Sequence, residues 1–156
     1  MRLRSLLFVP GDRPDRMVKA LGVGADALIL DLEDSVAPAA KTEARRAVAA
    51  FVEANAAAKL WVRVNPLDSA EIDKDLAAIL PAHPDGIVLP KAEGGASVAE
   101  LARRLSERGN ATAQIMASAT ETPAAMFQLG RYGGVKRLAA LTWGAEDLPA
   151  AIGAST

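Results

Sequence analysis

Residues 27–34 have the sequence ALILDLED, an apolar run that ends in acidic side chains. In a β-strand successive side chains point to opposite faces, so the three leucines of this segment share one face, and Ile29, Asp31 and Glu33 share the other. Parallel strands are covered on both faces, and a charge there is costly unless it is paired or lies at the open rim. The segment therefore predicts a buried parallel strand with Glu33 and Asp34 at its functional end.

The whole chain alternates short apolar runs with longer, alanine-rich segments of helical period. The predicted strands cover residues 5–9, 27–32, 60–64, 86–89, 113–117 and 138–143, and the predicted helices cover 14–21, 39–57, 69–80, 96–108 and 122–132. This order predicts a single α/β domain over residues 1–156 with a parallel sheet. Six units fit either an open doubly wound sheet or six-eighths of a (β/α)8 barrel, and periodicity does not choose between them.

The composition limits the class of protein. The 156 residues are 51% hydrophobic and 24% charged with a net charge of −1, and the lysines and arginines form no cluster suited to a phosphate backbone. With no cysteine and one histidine, any metal must be held by oxygen atoms. The apolar runs are too short for a signal peptide or a membrane span. We expect a soluble cytoplasmic protein that binds neither nucleic acid nor membranes.

Charged side chains also end the later predicted strands. Arg63 lies in the third, Lys91 follows the fourth, Glu121 follows the fifth and Asp147 follows the sixth. Because the carboxyl ends of parallel strands meet at one rim, we expect these residues to form one site. For Arg63 the partner is either a substrate acid, which we favour, or a structural pair with Asp31 or Glu33.

Three other interpretations bear on this rim. Lys91 is either a Schiff-base amine or, as we favour, a charged partner of nearby carboxylates. Glu121 and Asp147 match the oxygen ligands that Mg²⁺ prefers, although each also fits a helix cap. Glu33 and Asp34 are catalytic acids, or one of them only orients the other.

Three further residues have plainer interpretations. His83 precedes the fourth strand and lies at the wrong rim for chemistry, and Trp61 and Trp143 are predicted to pack in the core.

The sequence resembles the HpcH/HpaI aldolase and citrate lyase family, in particular its citrate lyase β subunit-like members, along the whole chain. The matching segments are RSLLFVPG at 4–11, DLEDSV at 31–36 with Lys41 and Arg45 beyond it, VRVN at 62–65, LPKAE at 89–93, ET at 121–122 and GAEDL at 144–148. So many ordered segments form a specific signal.

The resemblance implies a (β/α)8 barrel, with Mg²⁺ held by Glu121 and Asp147 and an acid substrate held by Arg63. It also implies a lyase that cleaves a citryl-, malyl- or citramalyl-type thioester, carried by CoA or an acyl-carrier protein, into an acyl thioester and a small 2-oxo acid. Members of this kind form homo-oligomers such as trimers.

Within that scheme Asp34 is the expected base, with Glu33 or a metal-bound water as competitors. The backbone N–H groups of Gly144, Ala145 and Glu146 are expected to bind a substrate carboxylate if a helix begins there. Two alternatives stay open, namely a Schiff-base aldolase that uses Lys91 and a non-catalytic subunit that binds 2-oxo acids.

The resemblance further implies two β/α units beyond the six in this chain, and an acid that some members receive from a neighbouring subunit. An unclosed barrel leaves two sheet edges and an exposed core. We therefore expect the chain to be a fragment, incompletely ordered or dependent on a partner segment, and poorly active on its own.

Overall fold

Parallel strands and helices alternate through residues 3–154, which are the residues that the computed structural model describes. The strands are β1 (Leu6–Pro10), β2 (Ala27–Asp31), β3 (Leu60–Arg63), β4 (Gly86–Leu89), β5 (Gln114–Ser118) and β6 (Leu138–Thr142). The helices are α1 (Pro14–Leu21), α2 (Lys41–Ala54), α3 (Ile72–Ile79), α4 (Gly95–Glu107), α5 (Pro123–Met126) and α6 (Asp147–Ile152). Short 3₁₀ turns lie at Pro38–Ala40, Leu80–Ala82 and Leu129–Arg131.

The strand order decides between the two predicted architectures. The strands pair in the order β1-β2-β3-β4-β5-β6, and every pair is parallel. A doubly wound sheet reverses its order at a switch point, whereas a barrel adds each strand beside the previous one. The six strands therefore form the wall of a (β/α) barrel.

The two faces of the sheet pack as the alternation in residues 27–34 predicts. Leu28, Leu30 and Leu32 join a large apolar cluster with the helices, while Ile29 belongs to a smaller cluster on the opposite face. In that inner cluster Trp61 lies against Gly86, where an added Cβ would stand 2.7 Å from the indole Cη2. Small residues thus leave room for the large ring inside the wall.

Two expectations about the C-terminal third were wrong. The helix predicted over 122–132 is broken, since α5 ends at Met126 and only a 3₁₀ turn follows, in a segment with glycines at 130, 133 and 134. Trp143 is 69% exposed rather than packed in the core. In the part of the chain described, no helix has both the length and the apolar character that crossing a membrane requires.

Candidate active site

A cavity of about 450 Å³ opens at the carboxyl rim of the sheet. Its lining comes from the ends of five strands or the loops after them, namely Phe8, Asp34, Ser35, Arg63, Ser118, Glu121, Thr142, Trp143, Gly144, Ala145, Glu146 and Asp147. The predicted convergence of charged strand ends is therefore present. His83 lies elsewhere, in the turn before β4 at the amino end of the sheet.

The main partner of the Arg63 guanidinium is a buried carboxylate and not the substrate acid that we favoured. Its Nε and Nη2 donate to the two oxygens of Asp31 over 2.7 and 2.8 Å. Asp31 is 1% exposed and stands directly opposite Arg63 in the β2–β3 register. Burial favours the neutral acid, but the ion pair with Arg63 outweighs it and lowers the pKa of Asp31. The third guanidinium nitrogen, Nη1, lies 3.0 Å from Glu33 Oε2, and the group stacks 5.0 Å above the ring of Phe8.

Glu33 is a buried carboxylate between two cations. Its Oε1 accepts a hydrogen bond from Lys91 Nζ over 2.7 Å, while Oε2, although close to Arg63, receives no hydrogen bond from any group within residues 3–154. Burial raises the pKa of Glu33 to about 7, despite the opposing effect of both cations. A carboxyl group whose pKa is near 7, and which has one oxygen without a hydrogen bond, is suited to accept and release a proton.

The Lys91 ammonium bridges acids that follow two strands, β2 and β6. Its ammonium lies 2.7 Å from Glu33, 3.3 Å from Asp147 and 3.8 Å from Asp34. Burial alone lowers the pKa of Lys91, but these carboxylates outweigh it and raise the pKa. The backbone of Lys91 is left-handed, with φ of 52°, and its N–H donates to Glu121 Oε2 over 2.6 Å. The ammonium is thus a charged partner of the acids, as we favoured, and not a neutral amine ready to form a Schiff base.

Glu121 lies in a recess formed by a glycine. A Cβ on Gly144 would stand 2.5 Å from Oε1 and 2.8 Å from Cδ of Glu121, so only glycine leaves this carboxylate its place. Thr120 fixes the glycine, because its hydroxyl accepts from the Gly144 N–H over 2.9 Å and donates to the Gly144 carbonyl over 3.2 Å. The cap of α5 is Thr122, whose hydroxyl accepts from Ala125 N–H, so Glu121 is not the capping residue.

Helix α6 begins at Asp147. Glu146 occupies the N-cap position of this helix, and its side chain forms no capping hydrogen bond. The Gly144 N–H is already bonded to Thr120, so only Ala145 and Glu146 remain of the three backbone donors that we predicted for a substrate. Whether they bind one stays a prediction.

The residues at the rim fit a magnesium ion. Burial, and more weakly the charge of Asp147, raise the pKa of Glu121, and both carboxylates line the same cavity. Residues 3–154 contain no cluster of three or more acidic, histidine or cysteine ligands that could hold a metal. Mg²⁺ commonly takes one or two protein carboxylates and fills its other positions with water and substrate. Glu121 and Asp147 are two carboxylates of the kind that such a site uses, and both line the cavity.

Sequence reasoning missed several lining residues. Phe8 shares the inner face of β1 with Leu6, and the alternation alone could have placed it there. Trp143 could not be found this way, because an aromatic side chain at a strand end is usually buried. Ser118 and Thr142 also line the cavity and carried no distinctive local pattern.

Parallel strands that pair in sequential order define a barrel-type α/β protein. Its acidic cavity lies at the carboxyl rim, where proteins of this fold have their ligand sites. A sequence profile of the HpcH/HpaI aldolase/citrate lyase family matches residues 4–156, and the chain belongs to that family.

The relatives that match this chain carry different names. A citrate lyase subunit beta-like protein of Mycobacterium tuberculosis is 39% identical over 150 residues, which are 96% of this chain and 50% of the relative. A (3S)-malyl-CoA thioesterase of Cereibacter sphaeroides is 31% identical over 152 residues, which are 96% of this chain and 51% of the relative. The chain thus spans about half the length of the curated relatives it matches.

A solved structure of the citrate lyase beta subunit from M. tuberculosis, complexed with oxaloacetate and magnesium, has a TM-score of 0.80 and 35% identity over 97% of this chain and 62% of that chain.

Proposed function

We propose that the protein is a Mg²⁺-dependent, cytoplasmic carbon–carbon lyase that cleaves a 3-hydroxyacyl thioester into an acyl thioester and a small 2-oxo acid. The observation that carries the proposal is that Glu121, Asp147 and Arg63 line the same cavity. The M. tuberculosis relative that binds oxaloacetate and magnesium supports the same ligand classes here. The malyl-CoA relatives favour CoA over an acyl-carrier protein as the carrier.

Glu121 and Asp147 hold the metal in this scheme. When bound, Mg²⁺ supplies Lewis-acid stabilisation of the substrate hydroxyl and carboxylate oxygens. Arg63 adds fixed positive charge in the same cavity, and its pairing with Asp31 keeps the guanidinium in one orientation. The remaining backbone donors at Ala145 and Glu146 orient the substrate carboxylate.

The carbon–carbon bond breaks when a base removes the proton of the 3-hydroxyl group. The alcohol oxygen becomes the keto oxygen of the 2-oxo acid, and the electron pair of the broken bond forms the enolate of the acyl thioester. The enolate then takes up one proton at carbon, which balances the proton removed from the hydroxyl group and gives the acyl thioester. Asp34 lines the cavity and is half exposed, so it is the carboxylate that reaches this hydroxyl. Glu33 shares the cations Arg63 and Lys91 with Asp34, and its free oxygen receives the proton in turn.

Thioester hydrolysis is a second candidate, because the Cereibacter relatives are named as malyl-CoA thioesterases. Hydrolysis would use the same positive charge to stabilise the oxyanion that forms when water adds to the thioester carbonyl, and it would release free CoA and the hydroxy acid. A Schiff-base aldolase is less well supported, since the Lys91 ammonium is engaged by three carboxylates. A subunit that binds 2-oxo acids without turnover, and a homo-oligomer such as a trimer, also remain to be tested.

Product analysis separates these functions. The full-length protein is incubated with citryl-, malyl- and citramalyl-CoA, with Mg²⁺ or with EDTA. We expect equal amounts of 2-oxo acid and acetyl-CoA from one thioester, and none in EDTA. Free CoA with intact hydroxy acid would assign hydrolysis instead. Borohydride-trapped 2-oxo acid on Lys91 would assign the Schiff-base aldolase, and binding of a 2-oxo acid by calorimetry without any turnover would assign the binding subunit.

A further inference from the structure

Lys41 occupies a position that helix chemistry does not favour. It is the first residue of α2, where the positive end of the helix dipole repels a cation. Its ammonium instead donates to three neutral oxygens, the Leu32 carbonyl over 2.8 Å, the Glu33 carbonyl over 3.0 Å and Asn65 Oδ1 over 2.8 Å. All three donors of the ammonium are thereby used. Lys41 is thus unfavourable for the helix that it begins, yet all of its N–H donors are bonded. This combination points to a role for Lys41 outside the helix.

The two carbonyls that Lys41 binds belong to the turn after β2, which carries the acids of the cavity. The opposite side of this turn is held by Asp31, whose carboxylate accepts from the N–H groups of Glu33 over 2.9 Å and Ser35 over 3.0 Å. The turn is thus bound on both sides, by an anion on its amide groups and by a cation on its carbonyl groups. This pattern fixes the peptide planes from which Glu33 and Asp34 project.

Behind Lys41 a buried polar chain fixes Asn65. The amide of Asn65 donates to the Leu32 carbonyl and to Asp75 Oδ2, and its backbone N–H donates to the same oxygen. Asp75 has no exposed surface, and its second oxygen accepts from Arg45 Nε over 2.7 Å. Side chains from α2, from the loop after β3 and from α3 therefore support the turn through one connected network.

We infer that Lys41, supported by Asn65, is a positioning residue that holds the Glu33–Asp34 turn in the geometry its acids need. The inference rests on the proposed function for its catalytic consequence, but its structural part is independent of that function. A displacement of about 1 Å at reacting groups can lower a rate by about 10²-fold.

The test compares K41M, which keeps the length of the side chain and removes its donors, with K41R, which keeps a cationic donor. K59M is the matched control, because Lys59 pairs with Asp85 at the amino end of the same sheet. Amide hydrogen exchange at Glu33 and Ser35 is measured in the full-length protein. We expect K41M to speed exchange at these amides by about tenfold or more, K41R to speed it less, and K59M to leave it unchanged. Exchange in K41M within about twofold of wild type would overturn the inference.

The kinetic arm uses the thioester that wild type cleaves. We expect K41M to lower kcat by about 10–100-fold with KM within about threefold of wild type, because the substrate contacts themselves stay in place. Faster exchange with an unchanged kcat would overturn the positioning role. Absence of turnover in wild type would instead count against the proposed function, and the exchange measurement would still decide the structural part.

Wild type provides a measurement that does not depend on the folding of a variant. An acetylating reagent should label Lys41 at least about tenfold more slowly than the exposed Lys19 at the end of α1, because all three ammonium donors of Lys41 are bonded. Equal labelling of Lys41 and Lys19 would contradict the structure on which the inference rests.

Discussion

The position of Glu121 depends on one absent methyl group. Its carboxylate occupies the space that a Cβ on residue 144 would take, and the Thr120 hydroxyl holds both backbone polar groups of Gly144 in place. Glycine is needed here for close approach and not for backbone freedom, since its φ is not in the left-handed range. Glu121, the proposed metal ligand, and the loop that leads to Asp147 are therefore fitted to each other.

Substituting Gly144 tests this fit. We expect G144A to push the Glu121 side chain out of its recess and to weaken Mg²⁺ binding by about 10–100-fold, as loss of a supporting contact at a metal site commonly does. Isothermal titration with Mg²⁺ alone measures the change. G130A is the matched control, because a Cβ there would have no heavy atom within 4 Å. Equal Mg²⁺ affinity in G144A and G130A would contradict the fit.

Residue identity predicted part of this site. The carboxylates at 121 and 147 stood out as candidate oxygen ligands because the chain offers no cysteine and one histidine, and both line the cavity. The partner of Arg63 could not be assigned, because the choice between Asp31 and a substrate depends on the register between two strands, which has no local signature. Lys41 stood out only as part of a family segment, since the carbonyls that it binds are nine and eight residues away.

At the scale of elements, α2 and α3 are joined by an ion cluster. Arg45 is 6% exposed and pairs with both Glu71, just before α3, and Asp75 within it. Glu71 also accepts from Lys74 over 2.7 Å. These two cations, Lys74 first and Arg45 second, lower the pKa of Glu71 to about 2.

This cluster predicts a pH dependence of stability. A carboxyl group with a lowered folded-state pKa stabilises the fold fully above its ordinary value of 4.5, and that stabilisation is lost as the pH falls towards about 2. Wild type should therefore be more stable than E71Q at neutral pH, and the difference should shrink between about pH 4.5 and 2. Urea unfolding of both proteins across this range measures it. E43Q serves as control, since Glu43 and Arg46 form an exposed pair at 3.4 Å. Parallel curves for wild type and E71Q would refute the prediction.

Elements were predicted unevenly, for a physical reason. The strands carry dense apolar runs, so all six were placed to within about one residue at each end. The helix predicted over 122–132 begins as expected, with Thr122 as its cap and Pro123 in its first turn, but it ends at Met126 in a segment with glycines at 130, 133 and 134. Helix α6 was considered only as a start near Leu148, because its six residues are too few to show periodicity.

At the scale of the whole molecule, the order of the strands determines where the candidate site lies. Sequential parallel pairing brings the ends of the strands to one rim, where Lys91 from β4 meets acids that follow β2 and β6. The periodicity of the sequence fits a barrel and a doubly wound sheet equally well. The segments that resemble the family favoured the barrel. The same order explains why residues so distant in sequence form one cavity.

The central claim is that Glu121 and Asp147 hold the Mg²⁺ that carbon–carbon cleavage requires. Its most direct test is the initial rate of 2-oxo acid formation from the preferred CoA thioester, measured at increasing Mg²⁺ in wild type, D147N and D73N of the full-length protein. Asp73 is a matched control, because it forms an exposed pair with Arg108 on the helical side. We predict that D147N loses about 100-fold or more of the rate at physiological Mg²⁺, while D73N matches wild type. A wild-type rate in D147N, or a wild-type rate that survives EDTA, would contradict the claim.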